Sequence, residues 1–230
     1  MRAILFALIA AIALSFAAFA PPRLLPRVST LWPLDLAKPG GWLIDRQISE
    51  LGADRELCQQ VLTGPEVNVI AIGDRPMVAG CGWNNAVQLA SAGGARVDLA
   101  VASCGVSAAL AMWLTHVVQP MALSHFGQKI SRLEHLGSFA CRNIRGNLRR
   151  ASHRSQHATA NAIDVAGFVL ADGRHVVVKK QWNAPSAEGR FLAAIHDGAC
   201  RYFRVVLGPD YNPAHNDHFH LDRGRWRACR

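Results

Sequence analysis

Asn161-Ala162-Ile163-Asp164-Val165-Ala166-Gly167-Phe168-Val169-Leu170, followed by Ala171-Asp172-Gly173 and the run Arg174 to Lys179, decides the fold class. Two β-rich runs joined by a turn containing Asp-Gly predict a β-hairpin. After Asn161 the first run is apolar except for Asp164, whose side chain shares a strand face with Ala162 and Ala166. Small neighbours leave room above the sheet at that carboxylate. Working outward, residues 67–72, 96–102, 203–207 and 218–222 also read as strands. Residues 128–133 and 138–143 are expected to pair as a hairpin around His135-Leu136-Gly137. Helices are predicted over 42–62, over 104–118 with Pro120 as the stop, and over 187–200. Strands and helices mix without regular βαβ alternation. The predicted class is therefore α+β, a mainly antiparallel sheet flanked by helices.

The chemistry concentrates in two segments. One is Ser155-Gln156-His157, leading to Asp164; the other is His215-Asn216-Asp217-His218-Phe219-His220. Three of the chain's 10 histidines fall in those last six positions. Two histidines and a carboxylate can hold one zinc ion and leave a fourth position open, which distinguishes a catalytic zinc from a structural one. His157 precedes the Asp164 strand in a turn-like segment that can fold it back over the carboxylate. If 218–222 is a strand, His218 and His220 share a face and Asp217 points away. His218 is then the better-placed general base and Asp217 the alternative. His215 is expected to orient His218, fix its loop or touch substrate. Ser155 stands between turn capping and substrate contact. Arg142 stands between a surface charge and a substrate-facing role. Arg145, Arg149, Arg150 and Arg154 read as a solvated basic loop in preference to individual substrate ligands, and as such still bias the neighbouring cleft toward carboxylate-bearing substrates. No HExxH helix, GxSxG elbow or P-loop occurs in the chain.

The remaining composition bounds the setting. Residues 3–20 are apolar apart from Ser15, and follow Met1-Arg2. Residues 1–22 therefore read as a membrane anchor or a secretory signal, with the uncleaved anchor favoured because Pro21-Pro22 follow directly. Residues 23–41 read as a Pro-rich linker or strap, and 42–230 as the folded domain. Six scattered cysteines behind an export segment predict disulfides, with Cys58–Cys81 and Cys200–Cys229 the first guesses from proximity in the chain. A net charge of +9 fits either an anionic partner surface or a generally basic solvated one. Export and the lack of a nucleic-acid motif set nucleic acid aside.

Gly137-Ser138-Phe139-Ala140-Cys141-Arg142, Ser155-x-His157-Ala158, the run 161–168, Val206-Leu207-Gly208-Pro209-Asp210-Tyr211 and His215-x-x-His218-Phe219-His220-Leu221-Asp222 together resemble the extensin-like C-terminal domain family of bacterial proteins. Through that family the chain is similar to zinc peptidases of the lysostaphin/D-alanyl-D-alanine carboxypeptidase/hedgehog-like fold. The resemblance spans roughly Cys58 to Cys229. It implies zinc held by His157, Asp164 and His220, His218 near the reacting water, and Arg142 steadying a substrate carbonyl. It further implies a hydrolase acting on peptidoglycan peptides in the periplasm or cell envelope. Two departures stand out: Ala160 replaces a common Gly, and the usual acid-x-Trp-His element appears as Asp217-His218-Phe219-His220. The base accordingly remains open between His218 and Asp217.

Overall fold

The computed structural model describes residues 28–230, so the apolar segment at 3–20 lies outside the described residues. A helical turn, Val28–Leu31, belongs to an N-terminal unit that ends at Pro33. The unit from Leu34 to Arg230 carries the sheet and the site. Residues 34–41 lie on that unit as an irregular strap. Leu34 and Leu36 are buried. The strap's carbonyls are held by His116 and Tyr202 side chains, at Leu36 O (2.8 Å) and Pro39 O (3.1 Å) respectively.

Two short helices follow, α1 (Ile44–Ala53) and α2 (Arg55–Val61). The single helix predicted over 42–62 breaks at Asp54, which adopts an extended backbone. Its carboxylate accepts from Leu57 N (3.0 Å), so Asp54 caps α2. Next come β1 (Val67–Ala71), β2 (Arg75–Val78), β3 (Cys81–Trp83), β4 (Ala86–Ala92) and β5 (Ala95–Ser103). Helix α3 (Cys104–Trp113) passes through a wide turn at Leu114–Val118 into α4 (Gln119–Phe126). This contradicts the expected stop at Pro120. A proline inside a regular helix clashes with the carbonyl four residues earlier. The π-type turn just before it re-spaces that carbonyl, so the helical run continues to Gly127, which closes it with φ 64°. The run Cys104–Phe126 is long and apolar enough to cross a membrane, yet every residue of α3 is buried. It is the core helix of this unit.

Strand β6 (Ile130–Gly137) is one continuous strand, and this overturns the predicted hairpin around 135–137. The chain finds its partner in β7 (Ala162–Leu170) rather than in itself, with Gly137 opposite Asp164. Gly137 has φ 109°, and there the chain leaves the sheet into the irregular segment 138–155. The hairpin around Ala171-Asp172-Gly173 does form, between β7 and β8 (His175–Val177). The predicted strand to Lys179 is cut short by α5 (Val178–Gln181). Gly167 permits the close approach of β8, since a Cβ there would meet Val176 O at 2.7 Å. Helix α6 (Ala187–Ala199), β9 (Val205–Leu207), β10 (Phe219–Asp222) and β11 (Ala228–Cys229) complete the unit.

Among the described residues the main sheet has nine strands in the order β1-β4-β5-β6-β7-β10-β9-β11, with β8 also on β7. Only β5–β6 and β9–β11 pair parallel; the rest is antiparallel, so the fold is α+β as expected. Trp113, Phe168, Phe191, Tyr202 and Phe219 fill the core between sheet and helices.

Three disulfides are present: Cys58–Cys104, Cys81–Cys141 and Cys200–Cys229. The last matches expectation; Cys58–Cys81 does not. Helix α2 docks at the start of α3, bringing Cys58 to Cys104, while β3 carries Cys81 to the segment beyond β6. Neighbours in the fold differ here from neighbours in the chain.

Candidate metal centre

Strand β7 is buried along nearly its whole length, and Asp164 is the one charged residue in it. Its cross-strand partner on β10 is His220. Directly opposed residues share a face with Cβ atoms about 5 Å apart. The third residue arrives from a short 3₁₀ turn, Gln156–Thr159, which Ser155 caps through its hydroxyl to His157 N (3.4 Å). Ala160 ends that turn in the left-handed region (φ 51°), turning the chain into β7.

These elements bring three ligand atoms into a small triangle. His157 Nε2 lies 3.0 Å from Asp164 Oδ1 and 3.1 Å from His220 Nδ1, and His220 Nδ1 lies 2.9 Å from Asp164 Oδ1. All three residues are buried. The outward ring nitrogens fix the tautomers. His157 Nδ1 donates to Ser138 O (3.0 Å), and His220 Nε2 donates to Asp222 Oδ2 (3.0 Å). In its neutral form each imidazole therefore turns a lone pair inward, beside the Asp164 carboxylate. Once a cation displaces the inner proton, the two ring nitrogens and the carboxylate oxygen form its donor set, and orienting partners behind both histidines are typical of metal sites. His157, Asp164 and His220 fit a divalent metal on those grounds.

Without a metal, the positive charge of a protonated His220 takes the cation's place. Burial alone would depress His220, but hydrogen bonds to Asp164 and Asp222 outweigh it and raise its pKa to about 9. Burial alone would raise Asp164; hydrogen bonds from His157 and His220 instead hold it far below the ordinary carboxylate range. The site favours positive charge at its centre.

The other predicted residues surround this triangle in a cleft of about 560 Å³, lined by His218, His215, Arg142 and Ser155 together with the ligands. His218 Nε2 stands 3.6 Å from Asp164 Oδ1, and its Nδ1 is 2.7 Å from Asp217 Oδ1. Here the structure departs from the strand geometry expected for 218–222. β10 begins only at Phe219, so His218 leaves a turn, and Asp217 backs its ring rather than pointing away. His215 packs against Tyr211 and His218, with Nδ1 on Asn212 Oδ1 (2.7 Å). Burial, and then the charges of His220 and His218, lower its pKa to about 4, so His215 is neutral at neutral pH. Arg142 Nη2 is 3.9 Å from Asp164 Oδ2. Desolvation lowers its pKa, and Asp164 partly offsets this. Ser155 lines the cleft, while its hydroxyl serves the turn that holds His157.

Three orienting groups were absent from the sequence-based site: Asp222, the Ser138 carbonyl and Asn212. Asp222 had a readable signal, since it lies two positions after His220 on the same strand face.

The extensin-like protein C-terminus family matches residues 56–230, and the chain belongs to it. No curated protein and no solved structure matches it significantly.

Proposed function

We propose that this chain is an exported zinc metallopeptidase that hydrolyses peptidoglycan stem peptides or their crosslinks, held in the periplasm or cell envelope by its N-terminal segment. The observation that carries the reading is the convergence of three ligand atoms from His157, Asp164 and His220, beside His218, in one cleft. The N, N, O donor set suits zinc, and three protein ligands leave a position for water or substrate. Zinc bound there would supply Lewis acidity, acidifying a water and polarising a carbonyl.

The chain's own residues divide the rest of the work. Asp217 holds the proton on His218 Nδ1 and leaves Nε2 with a lone pair facing the site. His218 Nε2 is thereby the base that takes the water's proton and returns it to the departing amine. Asp217 acts through His218, which joins the two candidates into one relay. Arg142 faces the same side as Asp164 and would stabilise negative charge on the scissile carbonyl oxygen. The likeness to lysostaphin/D-alanyl-D-alanine carboxypeptidase/hedgehog-like peptidases remains part of this proposal. Three disulfides support an extracytoplasmic setting.

The test is muropeptide profiling with the purified chain, with and without chelator. New chelator-sensitive peptide products, lost in His218→Ala, are expected. An unchanged muropeptide pattern on every crosslinked and uncrosslinked substrate tried would favour a non-hydrolytic, zinc-stabilised wall-binding module on the same fold.

A further inference from the structure

The cleft that holds the three ligands is lined by five arginines: Arg142, Arg145, Arg150, Arg154 and Arg227. Its lining carboxylates are Asp164 and Asp222, and both face the site histidines. Three of the arginines are engaged. Arg142 approaches Asp164, Arg154 bonds Ala79 O and Asn143 Oδ1, and Arg227 pairs with Asp45. Among the described residues, Arg145 and Arg150 have no carboxylate partner. The Arg150 guanidinium instead sits 4.4 Å from the ring centroid of Trp226, which is 64% exposed. Stacking on an indole restrains the guanidinium while its N–H fork stays available for two parallel hydrogen bonds. Leu136, 61% exposed on the same cleft, offers an apolar wall.

We propose that Arg150 on its Trp226 shelf, together with Arg145, forms a carboxylate-reading subsite that restricts this cleft to acidic peptides carrying a free carboxylate away from the scissile bond. This rests on the peptidase reading above and adds the charge of the substrate to it. Unpaired arginines crowded in one cleft repel each other, and Arg145 already opposes the charge on Arg142. An incoming carboxylate relieves that repulsion and gains charge-assisted hydrogen bonds. A neutral peptide does neither.

The experiment is calorimetric binding of two synthetic stem peptides to the zinc-loaded chain, one with free side-chain carboxylates and one with those groups amidated. Product analysis runs on the same samples. A hydrogen bond to a charged group contributes about 1.5–3 kcal/mol. The free-acid peptide should therefore bind roughly tenfold or more tightly, with the preference shrinking at high salt. Arg145→Gln/Arg150→Gln should bring the ratio close to one, and Trp226→Leu should reduce it. Zinc content checks that each variant keeps its site. Equal binding of the two peptides, binding of neither, or a preference that survives in the double arginine variant overturns the subsite. A preference without cleavage keeps the subsite and removes the peptidase reading. Cleavage of both peptides without preference does the reverse.

Discussion

Replacing Asp222 by Asn isolates the tautomer control on which the metal centre depends. Asp222 accepts two buried donors at once: Oδ2 takes His220 Nε2–H at 3.0 Å, and Oδ1 takes Gly224 N–H at 2.8 Å. An amide of the same shape has one acceptor and one donor end. If its oxygen stays on Gly224, its NH₂ faces His220 Nε2 and favours the tautomer with the proton on Nδ1, which is the ligand atom. If the amide flips, its NH₂ confronts the Gly224 N–H. With a metal on Nδ1 the proton must sit on Nε2, so either way one buried donor then meets another donor, a loss of about 1–3 kcal/mol, or roughly 5- to 150-fold. Orienting partners of metal-bound histidines contribute a similar 10–100-fold in affinity. The assay is zinc competition against a chelating indicator, with thermal unfolding of the metal-free protein as the control for folding. Asp222→Asn should bind zinc about 10–100-fold more weakly. A zinc affinity within twofold of wild type would refute the assignment of His220 Nδ1 as the ligand atom.

Metal uptake should release a proton. With His220 raised to about 9, zinc affinity should climb about tenfold per pH unit through neutrality and level off above pH 9. The sign also holds for the metal-free protein: protonated His220 contributes stability that is fully present below about pH 6.5 and lost as pH rises through about 9. Metal-free melting points should therefore fall over that window, and a flat profile would contradict the raised pKa. His218→Ala should keep its zinc and lose about 10²–10⁴-fold in peptide hydrolysis. Asp217→Ala should also keep zinc and lose less, because it acts only by orienting His218; full activity in His218→Ala would transfer the role of base elsewhere. Thiol counting under denaturing conditions should find none free. Removing the 60-residue link between Cys81 and Cys141 should cost about 4 kcal/mol by loop entropy, measurable in denaturant.

The ligand triangle was legible because its chemistry sits in side chains whose spacing survives folding. Asp164 interrupts an apolar strand, and His220 lies in a histidine cluster beside a second strand. Their cross-strand pairing needed only the two strands to be neighbours. Asp222 was equally readable from alternation. The Ser138 carbonyl was not, since a backbone acceptor 19 residues from His157 has no side-chain signature. Gly137 was read as a turn residue, but long-range pairing with β7 keeps 130–137 in one strand. Strand β4, Ala-Val-Gln-Leu-Ala-Ser-Ala, carries too few β-branched residues to announce itself and forms through pairing with β1 and β5. Pro120 misled for the opposite reason, a strong local signal absorbed by a wide helical turn.

Elemental analysis of the purified chain, wild type beside His157→Ala/His220→Ala, tests the metal centre most directly. About one zinc per wild-type chain and its loss from the double variant are expected. A wild type purified without chelator that holds no divalent metal, or a double variant that retains a full equivalent, would contradict it.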